Sequence, residues 1–406
     1  MHEPLSDRLF DLTHPQKRVW HVEQLYPGVP LHNLAGTAKF AGGLDFSRLE
    51  AAFHMLTRAH DATRIRIVER PDREARQYVA EFRPFAIPVI DFSGDATAFA
   101  RWRDGEARRP FVLARDELFR VQFFRISPEA CGYFVCCHHI AADGWSFQLL
   151  ADFVGRAYRD PGAALPETPS YFELAAHEAA YAASEPFDRA RRFWLDELRG
   201  APAQAVEHGD ARGEQLRVRV PPEAAARVRE LAVGAGVSVS TIYTALLCRY
   251  LRARDGRDDI VIGLPIANRL GRLRRAFGMF ASTMPLRVQL PGDEPLSLLA
   301  RRVHAAVRRG FRHQRYPYDL VLRDLAGAGG GLFAACMNSY NTDPAAAARV
   351  DDRPVSVDEC YVGHQLFPLY VIVKEWSADG TIELHINYKP AAYARRAIDE
   401  LASQKT

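Results

Sequence analysis

Two adjacent histidines, His138 and His139, are the residues of this chain whose type and setting best suit chemistry near neutral pH. They follow the apolar run Tyr133–Val135, which predicts a strand, and they precede the turn signal Asp143-Gly144. An imidazole at a strand end can accept or donate a proton, because its ordinary pKa is close to physiological pH. Side chains alternate along a strand, so we expect the two histidines to point to opposite faces.

Spacing alone also permits a second interpretation of the pair, namely two core imidazoles satisfied by hydrogen bonds. Side chains on opposite faces argue against a metal ion shared by His138 and His139, so we predict no metal site. The six cysteines lie mostly in apolar runs without CxxC spacing, which predicts buried thiols in a reducing compartment. The chain has no GxSxG signature, the motif that would indicate a serine hydrolase.

The elements that would position the motif form a mixed α/β pattern on both sides of the proline- and glycine-rich residues 161–170, which are the best linker candidate. Helical periodicity predicts helices, and apolar or alternating runs predict strands. The predicted helices cover 48–60, 96–107, 222–234 and 238–254, and the predicted strands cover 76–86, 119–126, 215–220 and 260–269. A chain of 406 residues is too long for one ordinary core, which favours two domains.

The charge balance argues against several classes of partner. With 53 basic and 50 acidic side chains the formal net charge is +3, so no strong field attracts nucleic acid or an anionic membrane. No apolar run approaches the roughly 20 residues of a membrane helix, and the N-terminal residues lack a signal-peptide pattern. We therefore expect a cytoplasmic, monomeric protein.

The heptad His138-His139-x-x-x-Asp143-Gly144 resembles the HHxxxDG signature of nonribosomal peptide synthetase condensation domains and their acyltransferase relatives. Further stretches resemble other motifs of that family in the same order, so the resemblance runs from about residue 12 to residue 398. These stretches are Thr13–Trp20, His60–Arg64, Ile260–Arg269 with Phe277–Arg287, His313–Asp319 and Leu332–Tyr340. The positions that depart from the family pattern are Asp61, Thr63 and Ser282.

The resemblance implies an α/β fold with mixed sheets, built from two halves that each resemble chloramphenicol acetyltransferase. In the family these halves form a V-shaped pseudo-dimer with a tunnel between them. We expect residues 1–165 to form the half that carries HHxxxDG, and residues 166–406 to form the other half.

The same resemblance makes the motif residues the candidate catalytic set. His139 is expected to act as a base or to position the nucleophile, whereas His138 is expected to be structural. In the family the aspartate at the position of Asp143 pairs with an arginine, and Arg64 matches that arginine best. Gly144 is expected to keep the tunnel passable.

Further residues are implied around the motif. Arg287 is expected to support the motif loop together with Arg64. The residues expected to line the tunnel are Trp145, Ser146, Asn338 and Ser339. For Asn338 and Ser339, at a strand end, hydrogen bonding to backbone groups is an equally good interpretation.

The reaction that the resemblance implies is transfer of an acyl or aminoacyl group from a thioester to an acceptor amine, which forms an amide bond. The donor would be held on the phosphopantetheine arm of an acyl or peptidyl carrier protein, so no permanently bound cofactor is expected. The acceptor would be a small amine or alcohol, or a second carrier protein. Two alternatives stay open: ester formation on a hydroxyl acceptor, and a catalytically silent docking module that recruits partner enzymes. Because nothing in the chain resembles an adenylation or carrier module, we expect a free-standing enzyme.

Overall fold

The computed structural model describes residues 8–69, 75–162, 167–202, 209–325, 331–351, 353–375 and 380–403. The chain divides into two compact units, and both are discontinuous. Unit one comprises Met1–Ala180, Arg269–Ala281 and Asp343–Val362, and unit two comprises Tyr181–Asn268, Ser282–Thr342 and Gly363–Thr406. The predicted boundary between residues 165 and 166 lies outside the described residues. The chain returns to unit one twice after that point, so the contiguous halves predicted from sequence differ from the units observed.

Helices and strands are interspersed along the described chain. The helices are α1 His14–Leu25, α2 Phe46–Ala59, α3 Ala96–Arg108, α4 Gly144–Arg159, α5 Glu173–Ala182, α6 Glu185–Glu197, α7 Pro222–Ala235, α8 Val239–Asp255, α9 Leu296–Phe311, α10 Tyr318–Asp324, α11 Pro344–Ala348 and α12 Arg395–Ala402. Single 3₁₀ turns cover Asp61–Arg64 and Gly271–Arg275. The strands are β1 Phe10–Asp11, β2 Asn33–Ala41, β3 Ile65–Glu69, β4 Ala75–Val79, β5 Val89–Asp91, β6 Phe119–Ser127, β7 Ala130–His138, β8 Glu214–Val220, β9 Asp259–Ile266, β10 Ser282–Gln289, β11 Ala335–Tyr340, β12 Val355–Cys360, β13 Leu369–Lys374 and β14 Ile382–Tyr388.

Unit one is built on a five-stranded mixed sheet in the order β12-β2-β7-β6-β5. Strand β7, which leads to the histidine pair, is the middle strand and is buried from Cys131 to His138. Position 132 on this strand requires glycine, because an added Cβ would lie 2.0 Å from the carbonyl oxygen of Ala38. A smaller antiparallel sheet, β1-β4-β3, completes the unit. Burial on both faces makes β7 a rigid support for the residues that follow it.

Unit two is built on a six-stranded mixed sheet in the order β10-β9-β11-β13-β14-β8. Strand β11 is parallel to both of its neighbours, whereas the outer pairs are antiparallel. Helices α7, α8 and α9 contribute buried apolar residues to the same core as the strands. Both units therefore confirm the predicted α/β class with mixed sheets, while the V-shaped arrangement and its tunnel stay predictions.

Most predicted elements are present with small shifts in their ends. Helix α8 begins after Ser238, whose hydroxyl caps it by accepting a hydrogen bond from the N–H of Thr241, close to the predicted start. Strand β4 ends at Val79, well before the predicted end at residue 86. Within the described residues no single helix is long and apolar enough to cross a membrane. Helices α7 and α8 would reach that length and composition only as a pair, and they bend by 97° at their junction.

Candidate functional site

The motif loop is held between the end of β7 and the start of α4. Asp143 is the N-cap of α4, where its Oδ1 accepts hydrogen bonds from the N–H and the hydroxyl of Ser146, both at 2.9 Å. The Ser146 hydroxyl lies within 3.3 Å of the Asp143 N–H and completes a capping box. Gln16 of α1 supports the loop from another side, because its amide donates to the carbonyl of Ile140 at 3.0 Å. The sequence pattern of cap and turn therefore sets the local geometry of the loop.

The arginine that pairs with Asp143 is Arg269. Its Nη2 lies 2.6 Å from Asp143 Oδ1, and both side chains are 2% exposed. The same nitrogen also donates to the Ser146 hydroxyl and to the carbonyl of Gly278, each at 3.1 Å. The other carboxylate oxygen of Asp143, Oδ2, accepts a hydrogen bond from the N–H of Phe280 at 3.1 Å. Burial lowers the pKa of Arg269, and the attraction of Asp143 opposes that shift. The pair thus ties the segment 269–281 to the motif loop within unit one.

The prediction that Arg64 pairs with Asp143 is wrong. Arg64 donates instead to the carbonyls of Thr57 and Ala80, at 2.9 and 2.5 Å, and so secures the 3₁₀ turn before β3. The expected support of the motif loop by Arg287 is also wrong, because its guanidinium forms an ion pair with Asp259 of unit two at 2.6 Å. One signal for the correct partner was present in the sequence, since Arg269 closes the stretch Ile260–Arg269 that resembles a motif of the family.

His139 is held with one ring nitrogen bound and the other open. Its Nδ1 lies 2.9 Å from the carbonyl oxygen of Ala142, and its backbone N–H donates to the carbonyl of His32 at 2.8 Å. A carbonyl oxygen only accepts, so Nδ1 carries the proton and Nε2 has a lone pair. Among the described residues no hydrogen-bond partner is found for Nε2, and the side chain is partly exposed.

The pKa of His139 is lowered to about 4. Burial is the main cause; repulsion by His32, when that ring is also protonated, and by Arg18 adds to it, and Asp143 opposes it. The imidazole is therefore neutral at physiological pH. It presents Nε2 as a hydrogen-bond acceptor and is only a weak base.

His138 is a buried structural residue, 2% exposed. Its Nδ1 accepts a hydrogen bond from the N–H of Ile140 at 3.1 Å, so the proton of the neutral ring is on Nε2. That nitrogen faces Glu23 Oε1 at 3.3 Å. Since β7 ends at His138, strand alternation does not set the direction of His139. The rings of both histidines lie near His32, with centroids 5.8 and 6.2 Å away.

Glu23, His32 and His138 bring three potential metal-ligand atoms within 4.8 Å of one another. The hydrogen bonds do not fit a metal ion. A metal on Nε2 of His138 would require the proton on Nδ1, and that nitrogen already accepts from Ile140. The three residues fit a carboxylate that accepts hydrogen bonds from two neutral imidazoles, which sequence reasoning did not identify. The absence of a metal site stays a prediction, which this argument supports.

The remaining candidates differ in exposure. Ser146 is fully buried, and its hydroxyl lies within hydrogen-bond distance of Asp143 Oδ1 and of the carbonyl oxygen of Gly278. The prediction that it lines a tunnel is therefore wrong. Trp145 is 41% exposed, and its indole N–H donates to the carbonyl of Arg274 at 2.9 Å. Gly144 is exposed and does not have a positive φ, so backbone strain does not require glycine there. A passage kept open by Gly144, and lining by Trp145, stay predictions.

Asn338 and Ser339, at the end of β11, are partly buried. The Asn338 amide donates to the Tyr370 hydroxyl at 3.0 Å, and its oxygen accepts from the N–H of Ser339 at 2.9 Å. These bonds favour the interpretation that Asn338 satisfies local polar groups. A role for the two residues in lining a tunnel stays a prediction.

Comparison with known proteins gives one family. The sequence profile described as Condensation domain matches residues 7–405. Surfactin synthase subunit 1 of Bacillus subtilis (strain 168) is 26% identical over 411 residues, which are 97% of this chain and 12% of that protein. Isonitrile lipopeptide synthase of Streptomyces coeruleorubidus is 29% identical over 332 residues, which are 78% of this chain and 22% of that protein. The chain thus spans less than a quarter of the length of these curated relatives.

Solved structures show the same fold. The first condensation domain of the calcium-dependent antibiotic synthetase, in complex with substrate analogue 3a, superposes with a TM-score of 0.84 at 21% identity, over 98% of this chain and 94% of that one. A mutant of the starter condensation domain of rhizomide synthetase RzmA, in complex with C8-CoA, superposes with a TM-score of 0.85 at 23% identity, over 98% and 96%.

Proposed function

Because this chain belongs to the condensation domain family, we propose that it forms an amide bond by transferring an acyl or aminoacyl group from a carrier-protein thioester to an acceptor amine. The observation that carries the proposal is Nε2 of His139, a lone pair on the motif loop for which no hydrogen-bond partner is found among the described residues. The thioester would be held on the phosphopantetheine arm of an acyl or peptidyl carrier protein.

The chemistry requires alignment and the management of one proton. The acceptor nitrogen attacks the thioester carbonyl, the carbon–sulfur bond breaks, and the thiol leaves with the proton that the nitrogen loses. A thioester is already activated, so the enzyme needs no covalent nucleophile of its own. Alignment of two bound reactants is worth up to about 7–11 kcal/mol, and a positioned proton acceptor adds roughly 10²–10⁴-fold.

The protonation state of His139 decides which part it plays. An α-amino group has a pKa of about 8, so taking a proton from an ammonium with an imidazole of pKa about 4 costs roughly 5 kcal/mol. His139 is therefore poorly suited to deprotonate a charged amine before attack. Its Nε2 is suited to accept a hydrogen bond from a neutral amine, which aims the nitrogen lone pair, and to take the proton once the nitrogen becomes positive.

The substrates define the test. An octanoyl-loaded carrier protein is a suitable first donor, since a structural neighbour was solved with C8-CoA. It is incubated with a panel of amines and alcohols, and the products are identified by mass spectrometry. Amide products that are lost in His139→Ala support the proposal. The exposed His21 of α1 supplies the matched control, and His21→Ala should leave the rate unchanged.

Other outcomes of the same experiment decide between the alternatives. Ester products would assign the hydroxyl-acceptor reaction. Carrier binding without turnover on any acceptor would favour the silent docking module, against which the intact heptad and the buried pair of Asp143 and Arg269 argue. Full activity of folded His139→Ala would remove the role given to that imidazole.

The proposal needs no permanently bound cofactor, because the phosphopantetheine arm belongs to the partner carrier. The acceptor is a small amine or alcohol, or a group on a second carrier protein. A monomeric state, a cytoplasmic location, and independence from nucleic acid and membranes stay predictions.

A further inference from the structure

A buried carboxylate on α1 joins two imidazoles beside the motif loop. Glu23 Oε1 lies 2.6 Å from Nδ1 of His32 and 3.3 Å from Nε2 of His138. The side chains of Glu23, His32 and His138 are 9%, 12% and 2% exposed, so all these contacts are largely shielded from water. Shielded charge-assisted hydrogen bonds are stronger and more strictly oriented than those on a surface.

The protons in this cluster can be assigned from the partners. Burial alone would raise the pKa of Glu23, but the hydrogen bonds from His138 and His32 outweigh it and lower the pKa to about 2. The carboxylate is therefore ionised and only accepts. His138 donates from Nε2, because its Nδ1 accepts from Ile140. His32 consequently donates from Nδ1, and its ring is held in one orientation.

His32 in turn contacts His139 in two ways. Its carbonyl oxygen accepts the backbone N–H of His139 at 2.8 Å. Its ring meets the His139 ring edge to face, with centroids 6.2 Å apart and an interplanar angle of 79°. Together with the bond from Nδ1 to the carbonyl of Ala142, these contacts restrain both the backbone and the ring of His139.

We propose that Glu23 and His32 are positioning residues for His139: the carboxylate orients the His32 ring, and His32 orients His139 so that Nε2 is the atom offered to the acceptor. This inference rests on the proposed function for its catalytic meaning, but its structural content can be tested without turnover. The charged or titratable groups that act on His139 include His32, Asp143, Arg18 and His138. The His32 ring also meets the His139 ring edge to face.

The test uses protein labelled with ¹⁵N-histidine, in which two-dimensional NMR reports the tautomer and pKa of each ring. In the wild type we expect His32 and His139 to carry the proton on Nδ1 and His138 to carry it on Nε2. The signals are assigned by the loss of one set in His32→Asn and of another in His139→Ala. A His32 ring protonated on Nε2, or charged at pH 7, would overturn the proposal without any variant.

Two variants then separate positioning from general support of the fold. In His32→Asn the amide N–H can replace Nδ1–H and keep Glu23 satisfied, while the ring is lost. We expect the pKa of His139 to rise, because the two rings can no longer repel each other when both become protonated at low pH. The control His21→Asn, an exposed histidine on the same helix as Glu23, should leave the pKa of His139 unchanged.

Glu23→Leu tests the carboxylate itself. Both imidazole N–H groups contact the one oxygen Oε1, and leucine offers no acceptor in its place. Since Ile140 holds the tautomer of His138, we expect His32 to lose its preference for a proton on Nδ1, which the same spectra detect. If folded His32→Asn and Glu23→Leu both leave every tautomer and the pKa of His139 unchanged, the proposal is wrong. Unchanged spectra in a protein that forms amides would remove the positioning role and leave the proposed function standing.

Discussion

Arg269→Met removes the guanidinium that pairs with Asp143 and leaves an unbranched side chain in its place. In the native protein both partners are 2% exposed and lie 2.6 Å apart. Opening a buried pair on one side leaves a buried charge without its partner, which costs about 3–5 kcal/mol. The guanidinium also lies 4.1 Å from the centre of the Phe280 ring, so a cation–π contact is lost as well. We expect the free energy of unfolding to fall by about 4 kcal/mol.

The variant should still fold, because Asp143 keeps other partners. The N–H and hydroxyl of Ser146 and the N–H of Phe280 continue to donate to its carboxylate. The complementary variant, Asp143→Asn, keeps a good N-cap and leaves Arg269 buried without its anion. Each single variant therefore contains one uncompensated charge or polar group, and the double variant contains no buried charge at this position.

Urea unfolding of the wild type, both single variants and the double variant gives a double-mutant cycle. We expect the double variant to lose less stability than the sum of the single losses, by about 0.5–3 kcal/mol. A second cycle combines Asp143→Asn with Arg64→Met, where the losses should add within about 0.5 kcal/mol because Arg64 binds other groups. Additive losses in the first cycle, or coupling in the second, would refute the assignment of Arg269 as the partner.

Three further predictions follow from the surroundings of the motif. With an acceptor amine that stays neutral, the rate of product formation should persist from neutral pH down to about 4 and fall below that pH. The reason is that His139 then gains a proton on Nε2 and can no longer accept a hydrogen bond from the amine. A rate that stays constant through pH 4 would contradict this prediction. Gly132→Ala should destabilise the protein by about 1–3 kcal/mol in urea unfolding, because the new Cβ would lie 2.0 Å from the carbonyl oxygen of Ala38. An unchanged unfolding midpoint would show that the backbone of β7 can shift to make room for the methyl group. Ser146→Ala should cost about 1–3 kcal/mol, since the buried hydroxyl bonds the Asp143 carboxylate, and a neutral effect would mean that water replaces it.

Much of the motif could be predicted from local sequence, because its geometry depends on neighbours along the chain. The apolar run before His138 forms the central strand β7 of its sheet, and Asp143 caps the helix that begins at Gly144. Helix α8 likewise begins after Ser238. Strand burial, cap preference and helical periodicity each act over a few residues, so composition and spacing suffice to place them.

The sequence carried a signal for the partner of Asp143, but only the tertiary structure decided between two candidate arginines. Arg64 and Arg269 both lie in stretches that resemble family motifs, and the correct partner, Arg269, lies 126 positions after Asp143 in the chain. The tertiary structure was also needed for Glu23 and His32, whose contacts with the histidine pair arise from the packing of α1 and the pairing of β2 with β7. Pairing between side chains that are far apart in the sequence depends on which elements pack together. The residues next to a charged side chain in the sequence do not show which distant group it will pair with. Residue types and spacing therefore determined the motif, and long-range packing decided which groups hold it in place.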